Sequence, residues 1–150
     1  MRDTGTAPCA VGHLWDVHDV RIYVAGPLAD TEKVQAVQSA VLAVGHELTL
    51  DWSRGPDVNF DDYGSLPGVS AELATEDLDA VMRADAVLIV ASEHDGRGMF
   101  VELGAALARA RRGELEHVVV IGTIRYESVF YYHPAVARVP TVHEWLSGLA

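Results

Sequence analysis

The stretch Ala86-Val-Leu-Ile-Val-Ala91 is an unbroken apolar run, with apolar residues at both the odd and the even positions. A short apolar run without polar alternation is typical of a strand buried on both faces of a parallel sheet. Similar runs occur at residues 21–25 and 117–122. Between the runs, apolar residues recur at helical spacing. This alternation predicts an α/β fold.

Working outward from residues 86–91, the pattern predicts five strands and four helices. The strands are residues 21–25, 46–50, 86–91 and 117–122, and a short strand near Val139. The helices run from a cap at Asp30 or Thr31 to Gly45, from a cap at Ser70 to Arg83, from about Met99 to Arg112, and from a cap at Thr141 onward. Residues 51–67 form a long loop of the kind that is usually functional or mobile, and Trp52 within it could stack on a substrate. The result is a five-stranded, mainly parallel sheet with helices on both faces.

Length and composition fit one globular domain. The chain has 150 residues, 49% of them hydrophobic. We expect a loose arm over residues 1–19, which show no hydrophobic period, and a single α/β domain over residues 20–150. The 22 acidic residues outnumber the 11 basic ones, and a net charge of −11 argues against a nucleic-acid partner. With Cys9 as the one cysteine, no disulfide can form within the chain, which suits the cytoplasm. Neither a signal peptide nor a membrane-spanning apolar run is visible, so we expect no membrane partner.

Glu102 is the most informative single residue. It is the only polar member of the apolar stretch 99–108. A helix that is apolar all round is buried, and a lone carboxylate on it is costly unless it is paired or used. With a helix start near Met99, Glu102 falls in the first turn, where the helix dipole stabilises an anion. We therefore expect a carboxylate that is ionised near neutral pH and serves as a nucleophile or charge stabiliser. The alternative is a first-turn Glu that faces solvent.

Asp77 and Tyr23 are two further candidates. Asp77 lies on or beside the stripe that the second helix is expected to bury. That stripe consists of Ala74, Leu78, Val81 and Met82. An ordinary ion pair with Arg83 or Lys33 is the alternative role for Asp77. Tyr23 lies in the first strand, two residues before its end, where its hydroxyl can hold a carboxylate; otherwise it is a packed core residue.

Three loops are expected at the carboxyl ends of the strands, where parallel sheets bind ligands. They are residues 26–30, 92–98 and 123–134. The second contains Asp95-Gly-Arg-Gly98, which could hold an anion through its amides and Arg97, although a plain flexible loop has the same composition. The third contains Phe130-Tyr-Tyr-His-Pro134, which suits a wall for a planar ring or a subunit contact. The 7 histidines show no metal-ligand spacing, so we assign no metal.

Three separated motifs occur in a characteristic order. They are Ile22-Tyr-Val-Ala-Gly-Pro-Leu28, Glu76-Asp-Leu78, and Asp95-Gly-Arg-Gly98 followed by Glu102-Leu-Gly-Ala-Ala106. Taken together they resemble the nucleoside 2-deoxyribosyltransferase family, over roughly residues 21–122. The resemblance implies a flavodoxin-like fold, and cleavage or exchange of the N-glycosidic bond of nucleosides or nucleotides without a cofactor.

The resemblance also implies roles for individual residues. The family's nucleophilic Glu falls on Glu102, the carboxylate that contacts and helps to protonate the base falls on Asp77, and the tyrosine that orients the nucleophile falls on Tyr23. A further family Asp near the base matches Asp95, at a spacing to Glu102 that is one residue longer here. The remaining candidates for substrate binding are Gly26, Ser92, Arg97, Gly98, Tyr132 and His133.

Two features bear on substrate and assembly. Relatives that act on nucleotides tend to carry Ser and Arg after the first strand to hold the 5′-phosphate. Residues 26–30 contain neither, which favours nucleosides, although Ser92 and Arg97 could bind phosphate. In the family's transferases a neighbouring subunit completes the site, which implies at least a homodimer, and Tyr132 and His133 are candidates for that contact.

Other functions stay open at this point. A 5′-monophosphate N-glycosidase and an NAD-cleaving glycosidase use similar carboxylate chemistry. A non-catalytic nucleotide-binding module could share the fold, since fold does not fix function. The small-molecule partner is a nucleoside or nucleotide in every case.

Overall fold

A computed structural model of the chain describes residues 19–55 and 62–149. The strands are β1 Arg21–Ala25, β2 Glu47–Leu48, β3 Ala86–Val90, β4 His117–Ile121 and β5 Val136–Val139. The helices are α1 Thr31–Ala43, α2 Pro67–Arg83, α3 Arg97–Arg111 and α4 Val142–Leu149. Short 3-10 turns occupy Leu28–Asp30, Trp52–Arg54 and Val129–Tyr132. Apart from Asp19, the predicted N-terminal arm lies outside the described residues.

The five strands form one sheet in the order β2-β1-β3-β4-β5, and all four neighbouring pairs are parallel. This is the flavodoxin-like strand order, so the predicted fold class is confirmed. The order reverses between β1 and β3, where Tyr23 pairs with Val87. In such sheets the crevice at the carboxyl ends of these two strands is the usual ligand site.

Helices cover both faces of the sheet, because successive strand residues point to opposite sides. Tyr23 and Ala25 of β1 belong to the apolar cluster under α2 and α3. Ile22 and Val24 belong to the cluster under α1 and α4. All four side chains are fully buried. The position of Tyr23 in β1 thus directs it toward α2 and α3.

Helix α2 begins four residues earlier than predicted, since its N-cap is Leu66 and not Ser70. Pro67 occupies its first turn, where a proline's fixed φ suits a helix and its missing N–H is not needed. Ser70 therefore lies inside the helix, and its hydroxyl donates to the carbonyl oxygen of Tyr63 at 2.8 Å. The buried stripe also differs from the prediction, because Leu78 and Met82 are 38% and 52% exposed.

Helix α3 begins at Arg97, two residues before the predicted start. The Phe100 N–H donates to the Gly96 carbonyl at 2.9 Å, which closes a helical turn across residues predicted to be a loop. Glu102 is therefore the sixth residue of α3 and lies in its second turn. The prediction that it lies in the first turn is wrong.

Helices α1 and α4 start close to the predicted caps. Asp30 precedes α1, but its side chain makes no capping hydrogen bond. The Thr31 hydroxyl donates to the Leu28 carbonyl instead. The predicted cap at Thr141 is confirmed, since its hydroxyl accepts from the Glu144 N–H at 3.3 Å. Within the described ranges, no helix is both long and apolar enough to cross a membrane.

Candidate active site

The three predicted catalytic residues come from three elements on one side of the sheet. Tyr23 projects from β1, Asp77 lies on α2 and Glu102 lies on α3. Helices α2 and α3 pack against each other on this side. Tyr23 is fully buried, Glu102 is 9% exposed and Asp77 is half-buried. The fold therefore brings together two carboxyl groups and one phenol that are far apart in the sequence.

Burial and mutual charge shape the ionisation of this group. The pKa of Glu102 is raised to about 8, first by burial and then by the charge of Asp77, against a lowering by the Tyr23 hydroxyl. Burial and the charge of Glu76 raise the pKa of Asp77. Burial, with the charges of Glu102 and Asp77, raises the pKa of Tyr23 far enough to keep its hydroxyl protonated. Near neutral pH the two carboxyl groups therefore retain a proton.

The expectation that the helix dipole keeps Glu102 ionised is wrong for the free protein. The dipole acts mainly on the first turn, and Glu102 lies beyond it. Removal from water disfavours the charged form, and so does a second carboxylate nearby. Burial and the charge of Asp77 both raise the pKa of Glu102.

The Tyr23 hydroxyl is a buried donor beside Glu102. It makes no hydrogen bond of normal geometry to any described residue. It is nevertheless close enough to Glu102 for each group to shift the pKa of the other. An unpaired buried hydroxyl costs about 1–3 kcal/mol. A small movement that pairs it with an ionised Glu102 would recover that energy and stabilise the carboxylate.

Asp77 also lines an open cleft of about 760 Å³. The cleft is bounded by α2 and by residues 50–53 and 55, which follow β2, so part of the long loop predicted to be functional forms its wall. Trp52, the predicted stacking residue, lines it as well. The Trp52 indole N–H donates to the Val24 carbonyl at 2.7 Å, which fixes the ring at the end of β1. Residues 56–61 of the loop lie outside the described residues.

Ser92 follows β3 and is buried against the β1–α1 connection. Its hydroxyl donates to the carboxylate of Asp30, and it accepts from the His94 N–H at 2.9 Å. Ser92 and Asp30 are 5% and 8% exposed. The Ser92 hydroxyl is therefore engaged within the protein, and it links the loops that follow the two central strands.

The charged residues at this edge of the sheet occur in pairs. Arg97 lies 3.2 Å from Asp95, Lys33 lies 3.6 Å from Asp30, and Arg125 lies 3.8 Å from Glu93. Asp95 and Arg97, two predicted substrate-binding residues, are 51% and 74% exposed in their side chains. These carboxylates offset the positive charge that a phosphate would need.

The two predicted glycines differ in their surroundings. A Cβ on Gly26 would lie 2.5 Å from Val34 Cγ2 and 3.3 Å from Val90 Cβ, so the backbone packs closely there. Gly98 lies in the first turn of α3, and a Cβ on it would meet no atom within 4 Å. Gly26 therefore has a packing role, whereas Gly98 leaves open space beside the helix start.

Tyr132 and His133 make contacts of their own. The Tyr132 hydroxyl donates to Glu127 at 2.9 Å, and Arg138 lies over its ring at 4.9 Å. His133 Nδ1 accepts from the Ala135 N–H at 3.1 Å. Neither lines the cleft that contains Asp77. Their predicted contact with substrate, which was tied to a neighbouring subunit, stays a prediction.

Sequence reasoning did not assign Asp51 and Ser53 to the site, although both line the cleft. The available signal was that they directly follow a strand, at the carboxyl edge of the sheet. It also missed the bond between Asp30 and Ser92, since Asp30 was interpreted as a helix cap. Among the residues that the structure describes, no three His, Cys, Asp or Glu side chains cluster as metal ligands would.

Comparison with known proteins adds information about the fold. No protein-family model matches the chain, and no curated protein matches it. Among solved structures, it is similar to the CMP N-glycosidase BcmB of Clostridium botulinum, with a TM-score of 0.51 and 17% sequence identity. The match covers 86% of this chain and 96% of that one. At this identity the likeness is one of fold, so the chain shares its α/β architecture with an N-glycosidase.

Proposed function

We propose that this protein cleaves the N-glycosidic bond of nucleosides or nucleotides, with Glu102 as nucleophile. The observation that carries the proposal is the buried Glu102 carboxyl beside Tyr23 and Asp77, of which Asp77 lines an open cleft. A purely structural role would not explain two carboxyl groups close together in a largely apolar setting. The fold shared with a CMP N-glycosidase supports the proposal.

The reaction needs two groups on opposite sides of the scissile bond. The Glu102 carboxylate attacks C1′ of the sugar, the bond from C1′ to the base nitrogen breaks, and its electron pair leaves with the base. Asp77 gives a proton to the departing base, which makes it a better leaving group. A glycosyl ester on Glu102 remains. Attack on C1′ by water, or by the nitrogen of a second base, then breaks the ester bond and frees the Glu102 carboxylate. The Asp77 carboxylate takes the proton that the attacking group loses, which completes hydrolysis or transfer.

The reactive state of the pair has its charge on Glu102 and its proton on Asp77. Because the pKa of each group is raised, the pair still holds a proton near neutral pH, and this is the proton that Asp77 donates. The Tyr23 hydroxyl, which stays protonated, can donate to Glu102 and stabilise the charge there. Tyr23 is thus a positioning and charge-stabilising residue in this proposal.

Nucleosides are favoured over 5′-monophosphates. At the sheet edge near the site, Lys33, Arg97 and Arg125 are each offset by a neighbouring carboxylate. A phosphate dianion gains little from cations that are already paired. A 5′-monophosphate substrate, the class on which BcmB acts, is therefore the second candidate.

The deciding experiment measures release of free base from a panel of nucleosides, nucleotides and NAD by chromatography. We expect cleavage of at least one deoxynucleoside by the wild type. Glu102→Ala should reduce the rate by ~10³-fold or more, about 4 kcal/mol of transition-state stabilisation. Glu72→Ala removes an exposed carboxylate of α2 outside the cleft and is the matched control.

The possible outcomes separate the alternatives. A Glu102→Ala variant that is folded by circular dichroism and keeps near wild-type rates rules out Glu102 as the nucleophile. Binding without cleavage anywhere in the panel would favour the non-catalytic module. Adding a second free base distinguishes transfer from hydrolysis, because only a transferase yields a new nucleoside.

A further inference from the structure

The cleft that contains Asp77 is acidic and partly aromatic. Three lining side chains are carboxylates, those of Asp51, Glu76 and Asp77, and none of the described lining residues is Lys, Arg or His. Trp52 and Tyr63 supply aromatic surface. Such a lining suits a flat ring whose edge carries hydrogen-bond donors. It disfavours a ring edge that presents oxygen atoms to the carboxylates.

Asp51 is held in place at the start of the Trp52–Arg54 turn. Its Oδ1 accepts from Ser53 Oγ at 2.6 Å, and its Oδ2 accepts from Arg54 Nε at 2.8 Å. Burial raises the pKa of Asp51, but these bonds outweigh burial and hold the pKa below its ordinary value. The Asp51 side chain is still 31% exposed. Each oxygen of an ionised carboxylate can accept a further hydrogen bond, so Asp51 remains an acceptor for a ligand.

Gln38 of α1 supports the turn that carries Asp51. It is 3% exposed, and its Oε1 lies 3.1 Å from Ser53 Oγ, so its amide is directed at the cleft wall. Its Nε2 has no hydrogen-bond partner of normal geometry among the described residues. The amide also helps to lower the pKa of Asp51. The Asp51 carboxylate is therefore held from the α1 side as well as by Ser53 and Arg54.

We propose that Asp51 determines base specificity, and that the cleft favours bases with an exocyclic amino group, such as cytosine, over oxo bases, such as uracil. This inference rests on the proposed function. An amino group donates to the Asp51 carboxylate, whereas a carbonyl oxygen in the same place would face it with no proton between them. Trp52, fixed by its bond to the Val24 carbonyl, offers a flat surface for the ring. Asp77 lines the same cleft, so it can protonate a base held there.

The test compares deoxycytidine with deoxyuridine, which differ chiefly in the substituent at ring position 4. We expect kcat/KM for base release to be at least about tenfold higher for deoxycytidine. Asp51→Asn should lower this ratio by about tenfold or more, because an amide can donate to the oxygen of uracil. Ser53→Ala, which removes a hydrogen bond to Asp51 and keeps its charge, should lower the ratio by a smaller factor. Asp79→Asn makes the same change on an exposed part of α2 and leaves the ratio unchanged.

Each outcome decides the inference. A wild-type ratio near one, a preference for deoxyuridine, or an unchanged ratio in Asp51→Asn overturns it and leaves the proposed function intact. If Asp51→Asn does not fold by circular dichroism, an unchanged ratio in Ser53→Ala overturns it. If the wild type releases neither base, the full panel of nucleosides and nucleotides decides the proposed function, and calorimetric binding of deoxycytidine and deoxyuridine decides the inference. Binding that favours deoxycytidine and loses that preference in the variants supports the inference, whereas equal or absent binding overturns it.

Discussion

Glu102 is an expensive residue for this fold to keep. Its neighbours Met99, Leu103 and Ala106 are buried and apolar, and a leucine or methionine at its position would pack without the cost of a buried carboxyl group. That cost appears as the raised pKa, which reports how strongly the site disfavours the charge. Proteins commonly accept such local instability where chemistry requires it.

The first prediction concerns the dependence of activity on pH. For a nucleoside whose base must be protonated, the reactive pair carries one proton, so kcat/KM should fall above about pH 8 as the pair loses it. For a leaving group that needs no proton, kcat/KM should rise through pH 8 as Glu102 ionises. Asp77→Asn should lose less activity on that second substrate. Initial rates between pH 5 and pH 10, with both substrates, check this, and identical profiles would contradict it.

The second prediction concerns stability. The pKa of a Glu side chain in an unfolded chain is about 4.5, whereas the pKa of Glu102 in the folded protein is raised to about 8. Between these values the unfolded state binds fewer protons, so the free energy of unfolding contributed by Glu102 falls as pH rises. Relative to wild type, Glu102→Gln should gain stability from pH 4.5 to 8, by about 4 kcal/mol at the upper end. Urea denaturation of both proteins across this range measures the difference, and a constant difference would refute the assignment.

At the scale of elements, the site depends on the turns that follow the central strands. The β1–α1 turn and the β3–α3 turn are joined by the bond between Asp30 and Ser92, and the turn after β2 is tied to β1 through Trp52 and the Val24 carbonyl. These contacts hold three connections in register at the carboxyl edge of the sheet. Rigid placement of this kind is what a site built on loops requires.

The third prediction tests the close packing of the first of these turns. Gly26→Ala should destabilise the protein by about 1–3 kcal/mol, because the new Cβ would lie 2.5 Å from the stiff side chain of Val34. Gly104→Ala is the control, since that glycine lies inside α3 with no atom within 4 Å of a Cβ. It should stabilise the protein by about 0.5–1 kcal/mol. Chemical denaturation compares the two, and equal effects would contradict the packing argument.

At the scale of the whole molecule, the apolar surface near α3 bears on assembly. The 3-10 turn Val129–Tyr132 exposes three large side chains, since Val129, Phe130 and Tyr132 are 80%, 58% and 51% exposed. Val101 of α3 is 61% exposed. The Tyr131 ring, between them in sequence, lies 5.6 Å from the Phe100 ring of α3. Exposed large apolar side chains of this kind favour an interface.

The fourth prediction is that the protein forms at least a homodimer. Light scattering at micromolar concentration should give a mass at least twice the 16.2 kDa of one chain. Phe130→Ser should shift the mass toward the monomer by removing apolar contact area, while Val44→Ser, a change at an exposed position next to α1, should not. A wild-type mass near 16.2 kDa would refute the prediction.

The sequence by itself determined the sheet and the identity of the central candidates. Its apolar runs predicted five strands, and the order of strands and helices predicted a parallel sheet covered on both faces, because period and length are local signals. The same reasoning selected Glu102 as a lone polar residue in an apolar helix. The positions of Asp77 on a helix and of Tyr23 in the first strand made them candidates as well, and the resemblance to a known family implied their roles. The structure places all three on one side of the sheet, under or on α2 and α3.

Only the tertiary structure decided how these residues behave. The start of α3 includes a backbone hydrogen bond from the Phe100 N–H to the Gly96 carbonyl, which places Glu102 in the second turn, beyond the main reach of the helix dipole. Burial and the charge of Asp77 raise the pKa of Glu102, against the expected ionisation. The contact between Gln38 and Ser53 joins α1 to the turn after β2. Such contacts form between segments distant in the sequence, and local pattern carries no information about the packing and desolvation that fix them.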